Sequence, residues 1–265
     1  MISQTKRAKL QNKILSFYNK NKRNLPWRKT KNPYPILLSE VMLQQTQVDR
    51  VIPYYERFLK QFPNFKTLAK AKKTTLLKLW QGLGYNNRIL RLQLLAKEVI
   101  SNHKGTLPKT EQDLINLPGI GPYTAHAILA FAYNKPAPVM DTNIRRVLIH
   151  ELNLKEDINL EHLKQIALQV IPKNKSSIWH NALMDYGALE KTAKATGIES
   201  LSKQSTFEGS NRQVRGEIIR LLLKQKQINL SKLNKQLNRI NLDEIVNKMI
   251  KEGVIIIKSN TLSFS

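Results

Sequence analysis

The 265-residue sequence contains no cysteine. That absence excludes disulfides, thiol catalysis and thiolate-ligated metal sites, and it counts against an iron–sulfur cluster. Acidic residues are also scarce: 19 Asp and Glu face 44 Lys and Arg, so the net charge is 44 − 19 = +25. The basic residues are spread along the chain rather than gathered in one tail, and such a field favours a polyanion. Nucleic acid is the first expectation. A membrane surface fits less well because no single basic amphipathic segment dominates, and a basic protein without a polyanionic partner is the plain alternative. Long apolar runs are missing too, and residues 1 to 20 are basic without an apolar core, so neither a spanning segment nor a secretory signal is expected and the protein is read as cytoplasmic.

Strand signals are nearly absent before residue 250. Apolar residues instead recur at helical spacing: Leu10, Ile14, Leu15 and Tyr18, then Leu37, Leu38, Val41 and Met42, then Val51, Tyr54, Tyr55 and Phe58. "NLPWRKTKNPYP", "QFPNF", "GLGY", "GTLP" and "NKPAP" read as loops between them. The fold class is all-α, with about ten helices in the body, and the length suffices for two packed units. From about Ser202, "SKQSTFEGSNRQ" forms a polar connector to a last segment with helices near 211–225, 230–238 and 242–252. "GVIIIKSNTLSFS" follows and alternates like a hairpin turning at Ser259-Asn260. Three helices and a hairpin predict a winged-helix-like module over 207–265, with Lys232, Lys235, Arg239, Lys248 and Lys251 available to phosphates, or else a small packing domain.

"DLINLPGIGPYTAHAILAFAY" predicts a short helix over about 111–116, a tight turn, and a second helix from Pro122, a residue suited to a first turn. Gly119 and Gly121 allow a sharp turn and a close approach, and the second helix's free N–H groups form an anion site suited to a DNA phosphate. An ordinary Gly-rich helical turn is the alternative.

"LPGIGPYTA" followed by "VMDTNIRRV" resembles the helix-hairpin-helix, Gly/Pro-rich loop and aspartate signature of the base-excision DNA glycosylase superfamily. "LPWRKTKNPYPILLSEVMLQQTQVDRVIPYYERFLKQFP" and "LWQGLGYNNRI" are similar to the MutY-type adenine glycosylases, over roughly residues 10 to 190. The resemblance implies a two-lobed helical fold, with a barrel lobe over 25–134 and a second lobe combining 1–24 with 135–203. It implies removal of adenine mispaired with guanine or oxidised guanine in double-stranded DNA, by a monomer. Removal of thymine or uracil opposite guanine is the enzymatic rival within the superfamily, and a silent DNA-binding relative is the rival outside catalysis.

Cleaving a base from deoxyribose needs an acid for the base and an anion facing the sugar. By resemblance Glu40 protonates the adenine ring and later activates water. Its neighbours Leu37, Leu38, Val41 and Met42 border it with an apolar face that raises a carboxyl pKa; an exposed helix glutamate beside Ser39 is the alternative. Asp141 would stabilise the oxocarbenium-like state, or merely cap the helix "TNIRRVLIH". Asn143 would orient the site, and Tyr123 would hydrogen-bond toward Asp141 and the sugar. Bifunctional relatives carry a lysine at the Tyr123 position, so a monofunctional enzyme is implied. Gln45 and Tyr85 look like wedge residues entering the duplex near the opposite base, with Gln44, Thr46 and Arg88 lining their surroundings. Trp27, Trp80 and His126 read as packing residues.

The sequence departs from the family at three places. Where relatives carry four cysteines for a [4Fe–4S] cluster, this chain reads "KTAKATGIESLSKQ", so no cofactor and no metal are expected. That loop is expected to be held by packing of Ile198 and Leu201, with DNA contacts from Lys191, Lys194 and Lys203. Thr142 stands where glycine is usual, and the relatives' C-terminal domain for oxidised guanine has no counterpart.

Overall fold

The computed structural model describes residues 2–201 and 206–265. Its helices run in order as α1 (Gln4–Asn21), α2 (Pro33–Leu43), α3 (Val48–Gln61), α4 (Phe65–Ala69) and α5 (Lys73–Trp80). They continue as α6 (Asn87–Asn102), α7 (Glu111–Ile115), α8 (Pro122–Phe131), α9 (Thr142–Leu152) and α10 (Leu160–Gln169). The last are α11 (Ser176–Leu189), α12 (Ala193–Thr196), α13 (Asn211–Gln225), α14 (Leu230–Leu237) and α15 (Leu242–Lys251), and a 3₁₀ turn occupies Pro26–Lys29. The body holds more helices than the sequence spacing predicts. The surplus lies in α4 and α12, of five and four residues, too short to show a period. Among the described residues no helix is long and apolar enough to cross a membrane.

Contacts divide the chain into two compact units, Met1–Glu40 with Thr106–Lys203, and Val41–Gly105 with Gln204–Ser265. In the first, Leu10 and Ile14 of α1 meet Ile144, Val147 and Leu148 of α9 and Trp179, Leu183 and Tyr186 of α11 in one apolar cluster. Each of these rows repeats at three- or four-residue spacing, which is why one stripe of each helix turns inward. A carboxylate lies within this unit: Asp185 of α11 is fully buried, bound bidentately by Arg28 (2.7 and 2.9 Å) and by the Arg23 Nε at 2.5 Å. Burial pushes Asp185 up, but hydrogen bonds from Arg28 and the Arg23 backbone, with the Arg28 charge, outweigh it and leave the carboxyl below its usual range.

In the second unit α6 packs on α4 and α5, and Trp80 is fully buried edge-on to Phe58 with its indole N–H donating to the Gly84 carbonyl at 3.0 Å. The C-terminal module follows the order α13, β1 (Gln227–Asn229), α14, α15, β2 (Ile255–Lys258), β3 (Thr261–Phe264). Its antiparallel sheet has the order β1-β3-β2, pairing Ile228 and Ile257 with Leu262. This is a winged-helix arrangement. Ser259 and Asn260 both adopt positive φ (45° and 59°), the geometry a two-residue hairpin turn requires, and the Asn260 carbonyl accepts the Leu230 N–H at 2.9 Å. The three-residue β1 is a strand that the sequence pattern misses, because one buried residue between two exposed ones is too short a run to establish alternation. Lys73 of α5 donates to Ser265 Oγ at 2.6 Å, and α13 packs on the same helix.

Candidate active site

Glu40 sits near the end of α2 at 6 % exposure, beside the buried Leu37, Leu38, Val41 and Met42. The exposed-glutamate alternative is thereby excluded, and the Ser39 hydroxyl donates to the Ile36 carbonyl at 2.7 Å. Burial pushes the Glu40 carboxyl up to about 7. The Tyr123 hydroxyl donates a hydrogen bond that pulls the other way, the Asp141 charge raises it further, and the Arg28 charge lowers it. Glu40 can therefore hold its proton at neutral pH and release it within the same range.

Asp141 caps α9: its Oδ1 accepts the Ile144 N–H at 2.7 Å, while Oδ2 accepts from the Asn143 amide at 3.2 Å. Capping and electrostatic partnership are not alternatives here, since the cap turns the carboxylate to the helix N-terminus and Glu40 senses its charge. Burial raises the Asp141 carboxyl, against the pull of Ile144, Asn143 and Arg146. The first unit thus brings Glu40, Tyr123, Asp141 and Asn143 together.

Two residues of this neighbourhood escaped the sequence reading. Arg146, one turn beyond Asn143, donates to Asn143 Oδ1 (3.2 Å) and to the carbonyls of Gly187 (3.1 Å), Lys191 (3.3 Å) and Ile198 (3.1 Å). Gly187 of α11 lies so near α9 that a Cβ there would fall 2.8 Å from the Asn143 Cβ and 2.9 Å from its carbonyl oxygen. A glycine inside an otherwise helical pattern is the one signal that pointed to it.

The loop after α11 answers the question raised by the missing cysteines. Its inward groups are carbonyls, gripped by Arg146 and, at Glu199, by Arg145 at 3.3 Å. No thiolate is present in the chain, so this donor set does not fit a [4Fe–4S] cluster. Ile198 packs into the core, but Leu201 is 77 % exposed and holds nothing. Lys194 is exposed and Lys191 half-buried; Lys203 lies outside the described residues.

The hairpin of α7 and α8 is anchored by the buried Leu117 and Ile120. Gly119 has φ 82°, a left-handed turn that favours glycine, and Gly121 precedes Pro122 as an N-cap without a side-chain cap. A Cβ at Gly121 would meet nothing within 4 Å, so this helix start stands open. His126 of α8 is buried and paired with Glu111 at 2.8 Å, a packing role.

The second unit holds the other site residues. Gln45 is exposed and Tyr85 half-buried, and both adopt left-handed backbone (φ 55° and 46°), a strain that side chains of this size seldom carry. Gln44 and Thr46 flank Gln45, half-buried, with the Thr46 hydroxyl donating to the Gln44 carbonyl at 3.4 Å. Arg88 is buried and serves this loop from beneath. Its guanidinium donates to the carbonyls of Val41 (2.8 Å), Met42 (3.1 Å), Gln44 (2.7 Å), Leu83 (3.0 Å) and Gly84 (3.1 Å).

Residues 38–173 match the family model described as "HhH-GPD superfamily base excision DNA repair protein". An adenine DNA glycosylase of Buchnera aphidicola subsp. Baizongia pistaciae is 40 % identical over 181 residues, covering 66 % of this chain and 51 % of the relative. The chain thus spans about half the length of that relative. The adenine DNA glycosylase of Mycolicibacterium smegmatis is 34 % identical over 230 residues, covering 79 % of this chain and 78 % of the other. A thermostable thymine-DNA glycosylase superposes with a TM-score of 0.66 at 29 % identity, over 73 % of this chain and 94 % of that one. A buried carboxyl on α2, an aspartate capping α9 and a Gly-Ile-Gly hairpin lie inside or against the matched span, and with it they place the chain in the HhH-GPD superfamily of base excision DNA repair proteins.

Proposed function

We propose that the protein is a monofunctional DNA glycosylase that removes adenine mispaired with guanine or oxidised guanine in double-stranded DNA, as a monomer and without an iron–sulfur cluster. The observation that carries the reading is the Glu40 carboxyl, raised to about 7 by burial and hydrogen-bonded by Tyr123 beside the Asp141 charge. Adenine leaves poorly as an anion. A proton passed from Glu40 to a ring nitrogen lets the glycosidic electron pair depart into a neutral base, an assistance that suits a purine. The positive charge left on the sugar faces Asp141, whose carboxylate stabilises it. Water then adds to the sugar, and the ionised Glu40 takes its proton, which returns the acid to its starting form.

The adenine must leave the stack before this can happen. The open start of α8 at Gly121 would hold a backbone phosphate, and the strained Gln45 and Tyr85 would fill the duplex from the second unit. The +25 charge supplies attraction that weakens steeply with salt. Tyr123 has no amine with which to form a Schiff base, so the strand stays intact.

The test is single-turnover excision on duplexes carrying adenine opposite guanine, oxidised guanine or cytosine, and thymine or uracil opposite guanine. Adenine release opposite the guanines is the expected result. Release of thymine or uracil alone would make the protein a pyrimidine enzyme, the activity named for the thermostable relative. Borohydride trapping of a covalent complex would end the monofunctional reading.

A further inference from the structure

The winged-helix module carries its charge unevenly. Residues 218–242 hold six basic side chains and no acidic one. That stretch runs from α13 through β1 into α14, and β1 is an edge strand of the sheet, so the acid-free stretch builds one edge of the module. Lys224 and Lys226 lie exposed where α13 gives way to β1, and Lys232 and Lys235 lie exposed on α14. A spacing of three puts the last two on one side of that helix, while Leu233, fully buried, takes the inward side.

The hairpin adds a fifth lysine. Lys258 pairs with Thr261, and Thr261 pairs with Asn229, the residue that caps α14. Asn260 fastens the turn to the start of that helix: its carbonyl accepts the Leu230 N–H at 2.9 Å and its amide donates to Ser231 Oγ at 3.3 Å. Lys258 and Lys232 therefore flank the same first turn. Among the described residues the module's ion pairs join Arg215 to Glu252 and Arg220 to Glu217, and none engages these five lysines. Like charges left unneutralised along one edge repel one another, and a polyanion relieves that repulsion.

The helix α15, the one a winged helix ordinarily lays in the major groove, is built otherwise. Its first turn exposes Asp243 and Glu244. Those carboxylates suit the positive end of their own helix, but they would meet phosphates with like charge. Farther along, Lys248 shares a cleft with Glu244, Arg215 and Glu252, where the two signs are mixed.

We propose that the module grips the backbone of double-stranded DNA through the acid-free edge, with Lys224, Lys226, Lys232, Lys235 and Lys258 on phosphates, and not through α15. The proposal rests on the reading above only for the nature of the polyanion. Ammonium groups on flexible stems meet phosphates without reading bases, so the grip is independent of sequence and holds the enzyme on undamaged duplex between lesions.

The experiment measures equilibrium binding of the full-length protein to an undamaged, fully paired duplex over a series of salt concentrations. Combining Lys232→Gln, Lys235→Gln and Lys258→Gln should flatten the slope of log K against log salt by about 2 to 3 and weaken binding at about 0.1 M salt by about 10- to 100-fold, equally on two unrelated sequences. Arginine at the same three positions should keep wild-type binding, since the charge is retained. Lys248→Gln with Lys251→Gln should leave the slope as it is. A wild-type slope in the glutamine triple variant would overturn the proposal and leave the edge to an acidic protein partner. An arginine variant as weak as the glutamine one, or a larger loss on neutralising Lys248 and Lys251, would overturn it as well. Binding needs no bond cleavage. A salt slope that depends on these lysines in a protein releasing no adenine would refute the proposed function alone, whereas adenine release by a protein whose slope ignores them would refute this proposal alone.

Discussion

Arg88 and Arg146 do similar work in different units, and the difference between them separates scaffold from site. Both lie on helices that begin beside a loop, both are buried, and both gather backbone carbonyls that no sheet or helix satisfies. Arg88 gives its fork to five carbonyls, and burial pulls its guanidinium down to about 10. Burial lowers Arg146 as well, but the Asp141 charge pulls it back up, and one of its bonds goes to the Asn143 side chain. An arginine that meets carbonyls and the Trp80 and Tyr85 rings, but no carboxylate, fixes a shape. One that also faces a carboxylate ties a shape to a charge.

The largest expected effect comes from removing that charge. Asp141→Asn keeps the cap geometry but deletes the anion, so base release in single turnover should fall by about 10³-fold or more while duplex binding stays near wild type. Equal losses of binding and release would mean that Asp141 is a cap only, and the contrast between the two arginines would collapse.

Next is Glu40→Gln, expected to slow release by about 10²- to 10⁴-fold. The wild-type rate should fall as pH rises through about 7, where Glu40 loses its proton. Stability follows the same group. The folded carboxyl titrates near 7 and the unfolded one near 4.5, so the folded state keeps a proton that the unfolded state surrenders, and stability declines as pH rises between those values. The decline is on the order of 3 kcal/mol. Urea unfolding at pH 5 and pH 8 checks it, since Glu40→Gln should lack the difference.

The two arginines themselves come third. Arg88→Met should cost about 3 kcal/mol of stability by stranding buried carbonyls, with little change in rate per folded molecule. Arg146→Met should cost less stability and slow release by about 10-fold or more, through Asn143 and the loop it carries. Indistinguishable profiles in urea melts and excision assays would make Arg146 another scaffold residue. The smallest effect belongs to Tyr123→Phe, which removes the hydrogen bond lowering the Glu40 pKa and should move the alkaline limb of the rate profile to higher pH.

That Glu40, Tyr123, Asp141 and Asn143 come together was legible because each is a side chain within one of three short motifs that carry the family resemblance. Arg146 and Gly187 were not. Arg146 acts on carbonyls 41 to 52 positions away, and a carbonyl has no residue type to read. Gly187 matters for a distance between two helices, which periodicity does not encode. The three module helices were legible from strong amphipathic spacing, while β1 was lost because its pairing with β3 lies 32 to 36 positions away along the chain. Leu201 misled for a simpler cause: an apolar residue in a loop was taken for an anchor, and the anchor is polar.

The loop that closes on Arg146 is held by hydrogen bonds drawn from the chain's own backbone. Nothing in that closure can be chelated, starved of iron or oxidised by peroxide, and the chain offers no thiol elsewhere. Its most oxidisable side chains are methionines, of which Met42 and Met249 are sealed in the core. An oxidant that would destroy a thiolate-held cluster therefore finds no such target in this closure.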